Sequence, residues 1–269
     1  MKSKICLFML SVSAIWPLAA DEARDTLYQV STIDALMAGV YDGPVTCGEL
    51  LKRGDTGIGT FQGLDGELIC LDGVIYQASS DGRVSVAPAN LHTPFATITY
   101  FETDQKTAPL SATSLEDLSR QLDRILPSSN TFYVVRLDGR FDYVKTRSVP
   151  KQERPYPPLT DGVKHQTVFE FKAVEGILLA FRCPAFVKGV NVPGYHFHFL
   201  TQNRKGGGHA LDVRFQDIEA RIDRTDSFFL YLPPGGDFDG FQWHPDSEKD
   251  LKAVEQQPAG AAEKTPLRP

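Results

Sequence analysis

The sequence predicts a mixed α+β protein: two β-sheet-based sub-domains with a few short helices, and the candidate active site on the second sheet. Three observations predict it. Strand-like runs flank Asp72-Gly73 and Asp138-Gly139, dipeptides that favour tight hairpin turns. Residues 115–126 carry leucine and isoleucine at helical spacing. A crossing with four prolines, 150–159, separates a mixed first half from a second half that reads mostly as strands.

Size and composition bound the possibilities. At roughly 150 residues per domain, 269 residues hold one large domain or two small ones. Lys+Arg 28 against Asp+Glu 34 gives a net charge of −6, with no basic excess to hold nucleic acid. Hydrophobic residues at 42% and charged residues at 23% exclude a largely disordered chain. Cys 4 is too few for a disulfide scaffold.

The elements follow in order. Lys2 and Lys4 precede an apolar run, 5–16, that at about a dozen residues is too short to span a bilayer. Pro17-Leu18-Ala19-Ala20 then offers small residues before Asp21-Glu22. This layout predicts a secretory signal peptide over 1–20, cleaved near Ala20, and so an exported protein, periplasmic or secreted. Cys6 lies too early to carry a lipid at the cleavage point. Cleavage removes two lysines, making the mature chain more acidic, and no second long apolar run would then hold it in a membrane.

Residues 21–150 are expected to form an N-terminal mixed α/β sub-domain. Ser31 can cap a short helix through Met37, stopped by Gly39. Thr46-Cys47-Gly48-Glu49 and Thr113-Ser114-Leu115-Glu116 are capping-box patterns. The second opens the periodic helix, whose Leu115, Leu118, Leu122, Ile125 and Leu126 should face the core, with Pro127 just past its end. Strands at 67–71 and 74–78 flank Asp72-Gly73, with a further strand at 83–87; strands at 132–137 and 140–145 flank Asp138-Gly139 as a second hairpin.

Residues 151–255 are expected to form a mainly antiparallel β sub-domain that binds metal, with strands at 168–171, 176–182, 194–201, 210–216 and 227–232. Ser247 or Asp246 should cap a last helix, 247–255. Residues 256–269 have almost nothing to bury and predict a disordered tail. Of the mature cysteines, Cys47, Cys70 and Cys183, an odd number cannot pair fully within one chain. They read as buried free thiols or, in an exported protein, as one bridge with a thiol left over.

Six histidines are present: His92, His165, His196, His198, His209 and His244. In Gly194-Tyr195-His196-Phe197-His198-Phe199-Leu200 the two-residue period of a strand puts His196 and His198 on one face, about 7 Å apart at Cα, and Tyr195, Phe197 and Phe199 on the other. The turn holding Gly206-Gly207-Gly208 can bring His209 back beside His198. A lone His-x-His is often only the polar face of a strand. Three imidazoles converging from a hairpin make a catalytic transition-metal site with positions left open for substrate. Zinc is the first expectation for such ligands, with another divalent transition metal such as iron or manganese as the alternative. His92, His165 and His244 lack partners in sequence and read as structural or exposed.

Over nearly all of 26–256 the chain resembles the acetolactate decarboxylases. The resemblance rests on Tyr28 to Leu36, Gly43 to Leu50, Gly57-Ile58-Gly59-Thr60-Phe61, Leu64-Asp65-Gly66-Glu67-Leu68, Asp72-Gly73-Val74 and Pro94-Phe95-Ala96. It continues in Lys145-Thr146-Arg147-Ser148-Val149-Pro150, in the His-x-His strand, and in Gly207-Gly208-His209. It implies zinc held by His196, His198 and His209, with Glu255 completing the shell directly or through a neighbour; Glu248 fits that position less well. It also implies active-site roles for Glu67 and Arg147, and a homodimer formed through the first part.

The activity so implied is decarboxylation of (S)-2-acetolactate to (R)-acetoin and CO2, a step of acetoin and butanediol biosynthesis. Loss of CO2 leaves charge to be held as an enediolate, which a Lewis acid on the carbonyl and hydroxyl oxygens stabilises. Arg147 suits the substrate carboxylate, because a guanidinium is planar and always charged. Glu67 would orient the substrate hydroxyl or move its proton. Two other classes compete. A cupin-type oxygenase or isomerase also carries His-x-His on a strand, but wants a glutamate where Gln202, Asn203 and Arg204 stand. A non-catalytic exported metal-binding protein would not need Arg147 and Glu67 near the histidines.

Overall fold

The computed structural model describes residues 24–242 and 247–255. The expected signal peptide and tail, His244, Asp246 and the side chains of Ser247 and Glu248 lie outside the described residues. The first part of the chain forms β1 (Thr26–Val30), α1 (Ile33–Met37), β2 (Val45–Thr46), α2 (Cys47–Leu50), β3 (Thr56–Thr60), β4 (Glu67–Leu71), β5 (Val74–Ala78), β6 (Val84–Val86), β7 (His92–Thr93) and β8 (Ala96–Thr99). Then come β9 (Gln105–Lys106), β10 (Leu110–Ala112), α3 (Leu115–Ile125), β11 (Phe132–Ser148), α4 (Leu159–Gly162) and β12 (Thr167–Cys183). Last are β13 (Gly194–Thr201), β14 (Gly207–Ile218), β15 (Ala220–Thr225), β16 (Ser227–Tyr231), α5 (Asp237–Gly240) and α6 (Ser247–Glu255).

Two seven-stranded sheets carry the fold. The first runs β16-β1-β8-β3-β4-β5-β6, the second β10-β14-β13-β12-β11-β15-β9. The mixed α+β class expected from the sequence is therefore present, but the Pro-rich crossing does not divide the sheets. β16, from the far end of the chain, edges the first sheet, and β11, from before the crossing, lies inside the second.

The β4–β5 hairpin turns at Asp72 and Gly73, at φ 52° and 77°, the pair of positive values that a tight two-residue hairpin turn demands. The second expected hairpin is absent. β11 is continuous, with Asp138 and Gly139 opposite Ile177 and Gly176 of β12. At this point its other neighbour changes from β15 to β14. Partners on both sides offer backbone hydrogen bonds that a turn would forfeit, and the Asp138 carboxylate is used to hold Arg136 and Arg221. β12 likewise fuses the strands expected at 168–171 and 176–182. β15 was not foreseen.

Helix starts are corrected by one residue. Thr32, not Ser31, caps α1, accepting from the Ala35 N–H at 3.2 Å, while Ser31 takes φ 60°. The capping box of α2 forms as read. At α3 the cap is Ser114, and the carboxylate reaching back to the Thr113 N–H is that of Asp117 rather than Glu116. The side-chain oxygen that reaches the third turn N–H decides the frame.

Packing is layered. Leu118 and Leu122 of α3 are fully buried against Phe197, Phe199 and Phe215 on one face of the second sheet, each worth about 1.5–3 kcal/mol by area. Leu115 and Ile125 are only partly buried. On the other face, Ile177, Leu179 and Leu200 meet Leu27, Ile58 and Ile69 of the first sheet. A further cluster, including Ile33, Leu36, Val149, Leu159, Leu251 and Val254, gathers α1, α4 and α6. Cys47, Cys70 and Cys183 are buried free thiols.

Candidate metal centre

The site grows from the register of the second sheet. β13 places His196, His198 and Leu200 on one face, and Leu200 packs into the core between the sheets. Tyr195, Phe197 and Phe199 face α3. β14 pairs His209 with His198, as the triple-glycine turn implied. β11 pairs Arg147 with His209, so Arg147, His209 and His198 form a row across three strands. That row depends on an irregularity. Lys145 pairs with Asp212, but Thr146 pairs with Ala210, leaving Leu211 extra, and such a bulge re-aims the residues beyond it. Gly208 is obligatory here. It sits at φ 141°, and a Cβ on it would lie 2.4 Å from the Arg147 carbonyl oxygen.

The three imidazoles converge. His196 Nε2 lies 3.1 Å from His209 Nδ1 and 3.2 Å from His198 Nε2. His198 Nδ1 lies 3.0 Å from the Leu68 carbonyl oxygen; only an N–H suits that acceptor, so its Nε2 turns a lone pair inward. All three rings are buried. Burial, with neighbouring histidines and Arg147, holds His198 and His209 well below the usual histidine range; burial above all lowers His196. They are therefore neutral near pH 7, with ligand atoms within 4.8 Å of one another. Neutral rings with facing lone pairs fit a divalent cation, which takes nitrogen donors at about 2.0–2.1 Å.

Two carboxylates flank the rings. Glu255, at the end of α6, brings Oε2 to 3.6 Å from His209 Nε2 and 3.8 Å from His196 Nε2. Glu67, at the start of β4, brings Oε2 to 3.7 Å from His198 Nε2 and Oε1 to 3.6 Å from Arg147 Nη1. Burial pushes the Glu67 carboxyl up to about 7, with Arg147 opposing and Glu255 adding to the rise. Arg147 is itself buried, and its Nε has no hydrogen-bond partner among the described residues.

All six residues named from the sequence thus meet around one point: His196, His198, His209, Glu255, Glu67 and Arg147. Of the other histidines, the two described ones do not join them. His92 Nδ1 lies 2.8 Å from the Gly43 carbonyl oxygen, and His165 is exposed. Where a cupin would need its glutamate, Asn203 instead accepts from the Thr201 hydroxyl and the Lys205 N–H to shape the turn. Sequence reasoning missed the cavity wall beside the rings: Ile33, Leu36, Leu64, Phe95, Val149 and the buried Thr60. These fall in the stretches that carry the resemblance, but an apolar residue reads as core whether it faces a ligand or a neighbour.

The model of the family described as alpha-acetolactate decarboxylase matches residues 27–243. A relative of that name from Methanosarcina mazei is 49% identical over 246 residues, 91% of this chain and 85% of its own length. One from Brevibacillus brevis is 42% identical over 215 residues, 80% of this chain and 75% of its own. The crystal structure of alpha-acetolactate decarboxylase from Bacillus subtilis strain 168 superposes with a TM-score of 0.82 at 39% identity, spanning 86% of this chain and 100% of that one. Near-complete coverage by relatives and by a solved fold accounts for the clustered histidines better than chance spacing would, and the chain belongs to the alpha-acetolactate decarboxylase family.

Proposed function

We propose that the chain converts (S)-2-acetolactate to (R)-acetoin and CO2 at this centre, with zinc as the ion held by His196, His198, His209 and Glu255. Arg147 carries the reading. A buried guanidinium with an unpartnered donor, beside a neutral histidine trio, calls for an anionic ligand. Glu67 approaches it only to 3.6 Å, so the fork is free to take a substrate carboxylate in two parallel bonds.

When bound, the metal supplies a Lewis acid for the charge left behind as CO2 departs. The remaining work falls to the chain. Arg147 holds the carboxylate and so orients the bond to be broken. Ile33, Leu36, Leu64, Phe95 and Val149 take the methyl groups and exclude water, which strengthens each polar contact inside. Glu67, with its carboxyl near 7, exchanges a proton readily near neutral pH. It can hold one at the substrate hydroxyl or deliver one to the carbon that has lost CO2. Export through residues 1–20, a homodimer and a place in acetoin and butanediol production belong to the same reading; the N-terminal layout supports the first and the family resemblance the others.

The test is anaerobic incubation of the metal-loaded protein with racemic acetolactate, following CO2 and the acetoin enantiomers by chiral chromatography. Equal yields of CO2 and (R)-acetoin are expected. Turnover that requires O2, or metal at about one per chain without CO2 release, overturns the proposal. Elemental analysis of the same sample identifies the metal.

A further inference from the structure

Glu67 is held short of both its polar neighbours. Its Oε2 lies 3.7 Å from His198 Nε2 and its Oε1 3.6 Å from Arg147 Nη1, where a guanidinium and a carboxylate free to meet close to about 2.7–2.9 Å. Both side chains are buried, so water and salt weaken their attraction little. A gap of less than about 1 Å left open under that attraction calls for something that resists its closing.

The backbone around Glu67 supplies a frame that does so. Gly66, just before β4, shares its N–H between the Leu64 carbonyl at 2.9 Å and the Val149 carbonyl, just past β11, at 3.0 Å. The Leu68 carbonyl oxygen lies 3.0 Å from His198 Nδ1. Within the first sheet, Thr60 and Ala78 pair with Glu67 from β3 and β5, and the Thr60 hydroxyl donates to the Gly66 carbonyl at 2.7 Å. The Ala78 carbonyl in turn accepts from the Ser148 hydroxyl at 2.7 Å. Gly66 and Leu68, on either side of Glu67, and Ala78, its partner on β5, are thus each tied across to the second sheet or its margin. Of these ties, the one at Ala78 comes from the residue that follows Arg147 in β11. Ser148 is fully buried and does not line the cavity beside the rings.

We infer that Ser148 is a positioning residue: its hydroxyl ties β11 to β5 in the arrangement where Glu67 stops short of Arg147, which leaves the guanidinium open to a carboxylate ligand. This rests on Arg147 being the carboxylate holder of the proposed reaction, so the first measurement needs no ligand. In a crystal structure of the full-length, metal-loaded Ser148→Ala protein, Glu67 is expected to close on Arg147 to about 2.8 Å. An unchanged separation overturns the proposal. The second measurement is calorimetric titration with two unreactive probes. 2-Hydroxy-2-methylpropanoate carries a carboxylate and a tertiary hydroxyl but no ketone, and acetoin carries no carboxylate. Ser148→Ala is expected to weaken the acid about tenfold, because Glu67 then occupies the fork, and acetoin by less than about twofold. Ser148→Cys, which fills the same space with a poorer donor, is expected to weaken the acid about threefold. In a Glu67→Gln background, Ser148→Ala is expected to add nothing to the Kd of the acid, since the charge that closes on the fork is gone. Equal weakening of both probes, or an additive loss with Glu67→Gln, makes Ser148 a packing residue and overturns the proposal. An unaltered protein that binds acetoin but not the acid, with Glu67 closing on Arg147 in the variant, would instead refute the carboxylate role of Arg147 and leave the frame standing.

Discussion

The candidate metal centre is built from two kinds of support. β11, β13 and β14 hold Arg147, His209 and His198 in one cross-strand row, each strand fixed by neighbours on both sides. α6 holds Glu255 through two buried side chains, together worth on the order of 3–6 kcal/mol by area. The first region cannot shift one residue without breaking a ladder and turning every side chain to the other face. The second has no ladder to fix its register: it rests on the packing of Leu251 and Val254 and on the approach of His209 Nε2 to the Glu255 carbonyl oxygen at 3.4 Å. The difference teaches a division of labour: the neutral nitrogens that could hold an ion come from the laddered sheet, and the carboxylate proposed to complete its surroundings comes from a docked helix.

Substitutions that probe this division are expected to differ in size. His198→Ala removes the most buried ring and its tautomer-fixing bond to Leu68. Metal content by elemental analysis should fall nearly to zero, and turnover by more than about 10³-fold. Full acetoin formation by the metal-depleted variant would break the rigid half of the comparison. Arg147→Lys keeps the charge but loses the planar fork, so metal content should be unchanged while kcat/KM falls by about 10²-fold. Unchanged kcat/KM would show that the guanidinium does not hold the carboxylate. Glu255→Gln should weaken metal binding by about 10–100-fold in a chelator competition, clearly less than His198→Ala. Equal losses would erase the distinction between sheet and helix.

The smallest effect concerns a buried carboxylate on the same sheet but away from the metal centre. Burial pushes Asp223 of β15 up to about 7, with Asp104, Asp25 and Glu102 adding to the rise and the Glu102 N–H, at 3.4 Å, opposing it. A carboxyl raised in the folded state costs stability progressively as pH climbs from its ordinary value near 3.9 towards 7, and fully above that. Asp223→Asn should therefore raise Tm by a few degrees above pH 7, leave it unchanged below about pH 4, and not alter turnover. A pH-independent change in Tm would show that packing, not charge, sets the cost. What sets Glu67 apart from Asp223 is the guanidinium and the ring beside it.

The sequence is legible where local rules decide. Strand period put His196 and His198 on one face, the triple glycine predicted the return of His209, and helical spacing set the buried face of α3. It was misleading at Asp138-Gly139. That dipeptide favours a turn in isolation, but β12 on one side and β15 and β14 on the other keep the strand extended. The Pro-rich crossing misled similarly about the sheets, because which strands pair is settled by burial across the whole chain. Glu67, Arg147 and Glu255 were named through family resemblance, since no local pattern ties residues so far apart in sequence to the histidines.

The sequence by itself therefore marked His196, His198 and His209 as candidate ligands and set the face on which the strand pair lies, because these follow from residue type and the period of a strand. Only the tertiary structure decided that an extra residue at Leu211 sets His209 opposite Arg147, that Glu67 arrives from the other sheet, and that Glu255 reaches the rings from the end of a docked helix. Register, sheet-on-sheet packing and helix docking are settled by contacts between distant parts of the chain, and the energies that choose among them are sums no local window contains.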